Sequence, residues 1–572
     1  MGQLSRAWLP LLLLLAVGQA TAQGGAYLRG RLVVLNEPRF SNSIIAPASY
    51  LLWLFDSQAF DFVLYTLRLA PGLPPPEDYL TGETIDLFIN ATLSGPYPGS
   101  LGPSLGPAGT LYVVDYSRTT ISIVPPPDPS PLPLPTVVWV ATSVCGRGES
   151  GYLGQEDVAL TFFGPPPGSA TSPAPAGRLP PMTLERLLGS CTFGGIQIHR
   201  SNTLIMNVTL PCSGTLKNGA RWNATGGQCG TNELFGWMEA AAAATRATGL
   251  DPAVYPRRML LLPRAAPPLC RSWQQRGTYG CDSRLGCDMW LRVGPADRNR
   301  LLEWALTQLG SSLGLRPATA PPSGVAGEGV QPPPTATPAA LADTASWPPS
   351  DPYCAMGAAQ GGYRCFNGPN SFKLGVASPV RTLTSENLSF GATYQVTLPA
   401  STATPVSLLV LETSRPGPVP SPGVTPPRPG PVLFAQYRTD DGGDAGLARG
   451  TEGRVSLHLS NVSLTWQAGD RLSAGPRSRL LASLAPGQQY RYAASRIAIT
   501  FVGLGSAPAP GSDPGGVAPP PARVTACVFF SDNEADGDNG CFDGVDNDCD
   551  GLIDNQDPDC AAAWAAMGPL LG

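Results

Sequence analysis

Leu302, Leu306, Leu309 and Leu313 recur at three- and four-residue intervals within Asp297–Ala318, the spacing that lines one face of an α-helix. Asp297 stands where a cap would start such a helix, and Gly314 where a glycine would end it. A second helix is expected over Asn232–Thr248, an alanine-rich run with Gly249 behind it. Elsewhere the period drops to two. Arg31–Leu35, Phe60–Leu67, Glu83–Ile89 and Thr110–Val114 read as strands parted by Pro/Gly turns, so residues 23–124 form a small β domain without cysteine. Thr136–Cys145 and Arg257–Pro263 are further strands. Tyr394–Leu398, Val406–Leu411, Arg454–Leu459 and Arg496–Val502 point to a sandwich-like β-rich module over 381–504. His458 falls inside one of these runs and His199 beside another, so both read as strand-associated residues rather than catalysts.

Proline sets the boundaries between these blocks. Pro125–Pro135 cannot sustain a sheet ladder and is expected to be an extended linker, Gly164–Pro181 interrupts the middle of the chain, and 319–350 reads as an exposed Pro/Ala/Thr-rich loop. A further linker covers 505–522, followed by a segment at 523–560 and a tail at 561–572. The chain has 572 residues, 42% of them hydrophobic, with 66 glycines and 64 prolines. That is enough apolar material for several cores joined by proline-rich connectors.

The amino-terminal run Arg6–Val17 is apolar behind a short positive flank and precedes the small-residue site Ala20-Thr-Ala22. This is the pattern of a secretory signal peptide over residues 1–22, with cleavage before Gln23. No later stretch is long enough for a transmembrane helix, and the tail lacks the polar spacer of a lipid-anchor signal. A formal charge of −5 without a basic block argues against nucleic acid. Thirteen cysteines in a secreted chain favour disulfides and leave one thiol over. Cys281 and Cys287 are spaced too widely for a typical structural zinc pair and are expected to bridge. Sequons at Asn90, Asn207, Asn223, Asn387 and Asn461 fit a glycoprotein.

The chemistry-bearing stretches are two. From Asp532 to Asp559 there are eleven acidic residues and no Lys or Arg. Asp546, Asp548, Asp550, Asp554 and Asp557 with Gly551 fit the calcium-loop template, with Leu552 offering its carbonyl at the seventh position and Asp rather than Glu at the twelfth. Hard carboxylates make calcium the expected cofactor. The wider string Cys541–Gly551 is similar to an Asp-rich, cysteine-punctuated metal-binding repeat of microbial surface proteins.

The second stretch is Thr307–Ala318, which resembles the zinc helix of the gametolysin (peptidase M11) family of volvocine green algae. Leu309, Gly310, Leu313, Gly314, Leu315 and Ala318 match in register. Cys191–Gly195, the strand Leu204–Cys212, the cluster Cys270–Trp290, the Met-turn-like Asp351–Gly357 with Met356, and Arg364–Gly375 resemble further blocks of that family. The resemblance implies an α+β, metzincin-like peptidase domain over 136–380, with the amino-terminal β domain in the place of a pro-region. It also implies a secreted protein of the extracellular matrix or cell wall whose partners are matrix or cell-wall glycoproteins.

The ligand positions depart from the family's pattern. Thr307, Gln308, Ser311 and Pro317 stand where the first ligand, the general base and the other two histidines belong, and the chain has only two histidines, so a three-His site is excluded by count. Zinc is therefore not expected as a cofactor. The expectation is a pseudopeptidase acting by binding or structure. The alternative is an active metalloendopeptidase using carboxylates such as Glu303, Asp343 or Asp351, with a Ser or Cys hydrolase a weaker third option.

Overall fold

A computed structural model describes residues 25–567 apart from several interruptions, the longest being 36–48, 121–131, 167–180, 321–349, 414–430, 462–476 and 507–518. The expected signal peptide, most of the proline-rich linkers, residues 321–349 of the expected loop with Asp343, Cys270 and the last five residues thus lie outside the described residues, whereas Thr319, at the start of that loop, is a strand residue.

The first domain is a closed barrel of β1 (Gly25–Leu35), β2 (Ser49–Asp56), β3 (Asp61–Leu69), β4 (Thr84–Asn90) and β5 (Thr110–Thr120), in the order β1-β2-β3-β5-β4. β1 is long enough to pair with β4 along one half and β2 along the other, and β3 runs parallel to β5. This is the Greek-key topology of a five-stranded OB-type barrel. Alternation along β4 sends Ile85, Leu87 and Ile89 into the barrel core with Leu32, Val34 and Leu52.

After a short pairing of β6 (Leu132–Pro133) with β8 (Ile196–Gln197), the middle of the chain builds a five-stranded sheet. Its strands are β7 (Thr136–Val144), β9 (Thr203–Leu210), β12 (Arg257–Pro263), β13 (Gln275–Gly277) and β14 (Cys287–Val293), ordered β13-β14-β12-β7-β9. A hairpin of β10 (Ser213–Thr215) and β11 (Arg221–Asn223) stands beside it. Four strands are parallel and the edge strand β13 is antiparallel. β14 is buried along its whole length, as a parallel strand covered on both faces must be. One face carries α1 (Gln155–Phe163), α2 (Leu184–Thr192) and α4 (Arg298–Ser312), and the other carries α3 (Thr231–Ala247). On the α3 side the indole N–H of Trp139 donates to Thr245 and that of Trp290 to the Leu234 carbonyl, so both buried tryptophans are satisfied.

The remaining chain forms two sheets that enclose a third core. One contains β15 (Ala318–Thr319), β16 (Ser378–Leu383), β18 (Val406–Glu412), β19 (Val432–Arg438), β20 (Arg454–Ser460) and β21 (Ser478–Leu484). The other contains β17 (Thr393–Leu398), β22 (Gln489–Tyr492), β23 (Ile497–Leu504) and β24 (Ala522–Val528). Leu398, Leu409, Leu433, Leu457, Ile499 and Phe501 fill the space between them.

Two expected boundaries shift. The break placed between 380 and 381 falls inside β16, and the one at 522/523 falls inside β24, which pairs with both β17 and β23 at the centre of its sheet. The sandwich thus reaches Val528. β15, immediately after α4, joins the same sandwich by pairing with β21, so the middle and carboxy-terminal regions share hydrogen-bonded sheet.

The molecule is mixed α+β and rich in strand. Among the described residues no helix is long and apolar enough to cross a membrane. Disulfides join Cys145 to Cys212, Cys191 to Cys365, Cys281 to Cys287, Cys527 to Cys549 and Cys541 to Cys560. Cys229 is disulfide-bonded as well, and among the described residues the free thiol is Cys354, which is buried and so not placed to pair with another chain. Burial, with Asp351 nearby, pushes it up to about 11.

Candidate functional site

α4 is the helix expected from the leucine spacing, and it is buried from Leu301 to Ser312. Its start differs from expectation in detail. Asp297 occupies the cap position, but its carboxylate accepts from the Gly294 N–H instead of from the helix. At the other end Gly314 takes a left-handed φ of 79°, which turns the chain toward Pro317 and β15.

Each position that would carry zinc chemistry is part of the interior. The Thr307 hydroxyl lies 2.9 Å from the Glu303 carbonyl and 2.6 Å from the carbonyl of Ala355, on the turn that holds Met356. The Gln308 amide donates to Oε1 of Gln275 on β13 at 3.2 Å. Ser311 is buried, and its carbonyl accepts from the Gly280 N–H at 2.8 Å. Pro317 is buried as well. Met356 packs against the helix, and a Cβ on Gly310 would come within 2.7 Å of its sulfur. A glycine is what lets helix and turn approach this closely.

These residues do not fit a zinc ion. A hydroxyl, an amide and a proline ring offer no imidazole, thiolate or carboxylate, and the hydroxyl and the amide are engaged in hydrogen bonds. The two imidazoles lie elsewhere. His199 sits between Glu185 and Gln197, and His458 on β20 contacts Asp351 at 3.0 Å with both side chains fully buried.

The carboxylates considered as substitutes are also committed. Glu303 pairs with Arg364 at 3.2 Å, itself tied to the Cys354 carbonyl. Asp351 accepts from the Tyr353 N–H and the Asn367 amide as well as facing His458. Burial alone would raise the Asp351 carboxyl, but His458 and these hydrogen bonds outweigh it and hold it below the ordinary range.

The amino-terminal barrel closes over the end of α4. Tyr279 lies in the barrel core, its N–H donates to the Val34 carbonyl, and its carbonyl accepts from the Thr81 N–H. The Arg316 guanidinium stacks 4.3 Å from the Tyr279 ring centre and donates to the Tyr79 carbonyl. Arg276 donates to Ser49, Asn218 donates to the Leu64 carbonyl, and Leu35 bridges to Thr278. Val33, Leu35 and Leu51 of the barrel share a core with Trp139, Trp222 and Trp290. None of this packing was visible from local patterns, because the hydrogen bonds that join the barrel to the middle domain link residues more than a hundred positions apart.

The acidic segment forms the other candidate site, held against the sandwich. Cys527–Cys549 ties it to β24, while Arg491 and Gln489 of β22 donate to the carbonyls of Asp548 and Cys549. Asp546, Asp548 and Asp550 converge, with one oxygen of each within 4.8 Å of the others. The Leu552 N–H donates to Asp550, which makes the tight turn after the third acid.

The last two expected ligands leave this group. Asp554 has a left-handed φ of 48°, receives the Gly544 N–H, and groups with Asp543 and Glu534. Asp557 groups with Glu534 and Asp548. The acids therefore do not wrap one centre as a twelve-residue loop would.

Glu534, which the sequence offers only as part of a second, poorer acidic loop with Asp532 and Asp536-Gly537, stands at the centre of the segment. It is fully buried and accepts from the main-chain N–H groups of Asn547 and Asp554. Its only sequence signal was membership of the Asp532–Asp536 acidic string. Burial and the neighbouring acids push Asp548 up to about 6 and raise Glu534 and Asp546. Among the described residues, the three groups of His, Cys, Asp or Glu side chains close enough to hold a metal all lie in this segment. The donor set of Asp546, Asp548 and Asp550 fits a hard, oxygen-seeking cation such as calcium.

Residues 344–489 match the family model described as Gametolysin peptidase M11. That span begins beyond α4, takes in the Met356 turn and β16–β21 and ends at the first residue of β22, leaving Thr307, Gln308, Ser311 and Pro317 outside it. No curated protein matches the chain.

Proposed function

We propose that this chain is a secreted, glycosylated, gametolysin-like protein of the extracellular matrix or cell wall that acts by binding or structure instead of hydrolysis. The observation that carries the reading is the Thr307 hydroxyl hydrogen-bonded to the Ala355 carbonyl, 2.6 Å apart, at the position where a first zinc ligand would stand. A hydroxyl whose proton is committed there packs helix and turn together, and a neutral hydroxyl is not among the imidazole, thiolate and carboxylate donors that hold zinc. Gln308 in place of a general base has no proton-accepting carboxylate, so water activation fails independently.

Further support comes from the sheet order, with a single antiparallel edge strand ahead of the helix, and from the methionine turn beneath that helix. The sequon asparagines 207, 223, 387 and 461 are exposed and Asn90 is half-buried, which leaves them open to glycans. Calcium at Asp546, Asp548 and Asp550, with the Leu552 carbonyl, would lock the acidic segment onto the sandwich.

A second reading, an active metalloendopeptidase of matrix glycoproteins, draws on the match to a peptidase family. Incubating the purified secreted protein with matrix glycoproteins, with and without a zinc chelator, separates the two. The proposal expects no cleavage in either arm, and chelator-sensitive cleavage overturns it.

A further inference from the structure

Two carboxylate oxygens in the acidic segment are buried without any hydrogen-bond partner, Oδ1 of Asp546 and Oδ2 of Asp557. Their residues are only 7% and 3% exposed. In each, the other oxygen is held by a main-chain N–H, from Gly551 for Asp546 and from Asp559 for Asp557. The orphaned oxygens are thus aimed by the backbone, and leaving a buried charged acceptor unmade is costly.

They belong to different groups. Asp546 converges with Asp548 and Asp550, whereas Asp557 converges with Glu534 and Asp548. Among the described residues none of Glu534, Asp546, Asp548 and Asp557 makes an ion pair; Arg491, which anchors the segment, directs its two Nη groups to two carbonyls and to Asp532.

We propose that the acidic segment binds two divalent cations of the calcium type, the second held by Glu534, Asp548 and Asp557 and sharing Asp548 with the first. This rests on the calcium reading of the Asp546–Asp550 loop and adds a site to it. Hard carboxylate oxygens alone, without nitrogen or sulfur, select calcium over a transition metal.

The second ion has a structural role the first cannot fill. Glu534 lies just after β24, and Asp557 lies three residues before Cys560, so their shared ion joins the sandwich to the far end of the Cys541–Cys560 loop. A carboxylate bridging two ions also couples them, so losing Asp548 removes both.

The test is a calorimetric calcium titration of the full-length, chelator-stripped protein in physiological salt. Two ions per chain are expected for the wild type. Asp557→Asn keeps the size and capping ability of the side chain and should bind one ion. Asp550→Asn, on an exposed position, should also bind one, Asp548→Asn none, and Asp543→Asn still two. A wild type that binds one ion, with Asp557→Asn unchanged, overturns the second site and leaves the loop reading intact. A wild type that binds none overturns both. Two ions reduced to one by Asp543→Asn but not by Asp557→Asn places the second ion elsewhere and also overturns the proposal. The wild-type count decides between one site and two even if a variant fails to fold.

Discussion

Thr307 joins the helix to the methionine turn through one hydroxyl. Thr307→Val keeps the shape and removes the donor, leaving the Ala355 carbonyl buried without that partner. The expected cost is about 1–3 kcal/mol, read as a lower denaturation midpoint; an unchanged midpoint contradicts the structural role. Asp351 makes a pH-dependent contribution whose sign follows from its depressed carboxyl. At low pH the unfolded chain binds the proton more readily, so the contribution is complete above the unfolded value of about 3.9 and is lost as pH falls through the folded value. Asp351→Asn should therefore lower stability at neutral pH and flatten its decline in acid. An acid limb as steep as the wild type's counts against the Asp351–His458 pairing. The identities of Thr307, Gln308, Ser311 and Pro317 are legible in the sequence, and identity alone says that none of them is a strong zinc donor. It could not reveal Glu534 or the Asp351–His458 pair, whose meaning depends on partners from separate strands and turns.

At the level of elements, periodicity located α4, α3 and most of the strands, since each buries a regular apolar face. It missed α1 and α2. α2 carries a signal that was there to be read, with Thr183 accepting from the Arg186 N–H ahead of Leu184, Leu187, Leu188 and Cys191. α1 is short and hemmed by the proline-rich run, so its pattern covers barely two turns. The acidic segment was read as a single loop because template spacing assumes one centre, whereas the left-handed residue Asp554 turns its carboxylate away. The packing of α4 on the methionine turn gives a direct test. Gly310→Ala places a methyl against the Met356 sulfur and the Phe366 ring, an overpacking expected to cost about 1–3 kcal/mol. Adding Met356→Ala should recover part of that loss, so the two substitutions are non-additive. Strict additivity in the denaturation midpoints contradicts the contact.

Across the whole molecule, the amino-terminal barrel is bound into the middle domain by a shared apolar core, main-chain bridges and the Arg316–Tyr279 stack. A pro-region made for release would not be expected to bury Tyr279 in its core. Cutting an engineered protease site within 121–131 should leave the two pieces co-eluting in gel filtration without denaturant, and separation of the barrel contradicts an integral role. The account as a whole rests on an interior helix that holds no transition metal. Elemental analysis of the secreted chain, purified without chelator, tests this most directly. Calcium with zinc at trace level is the predicted result, and one zinc per chain contradicts it.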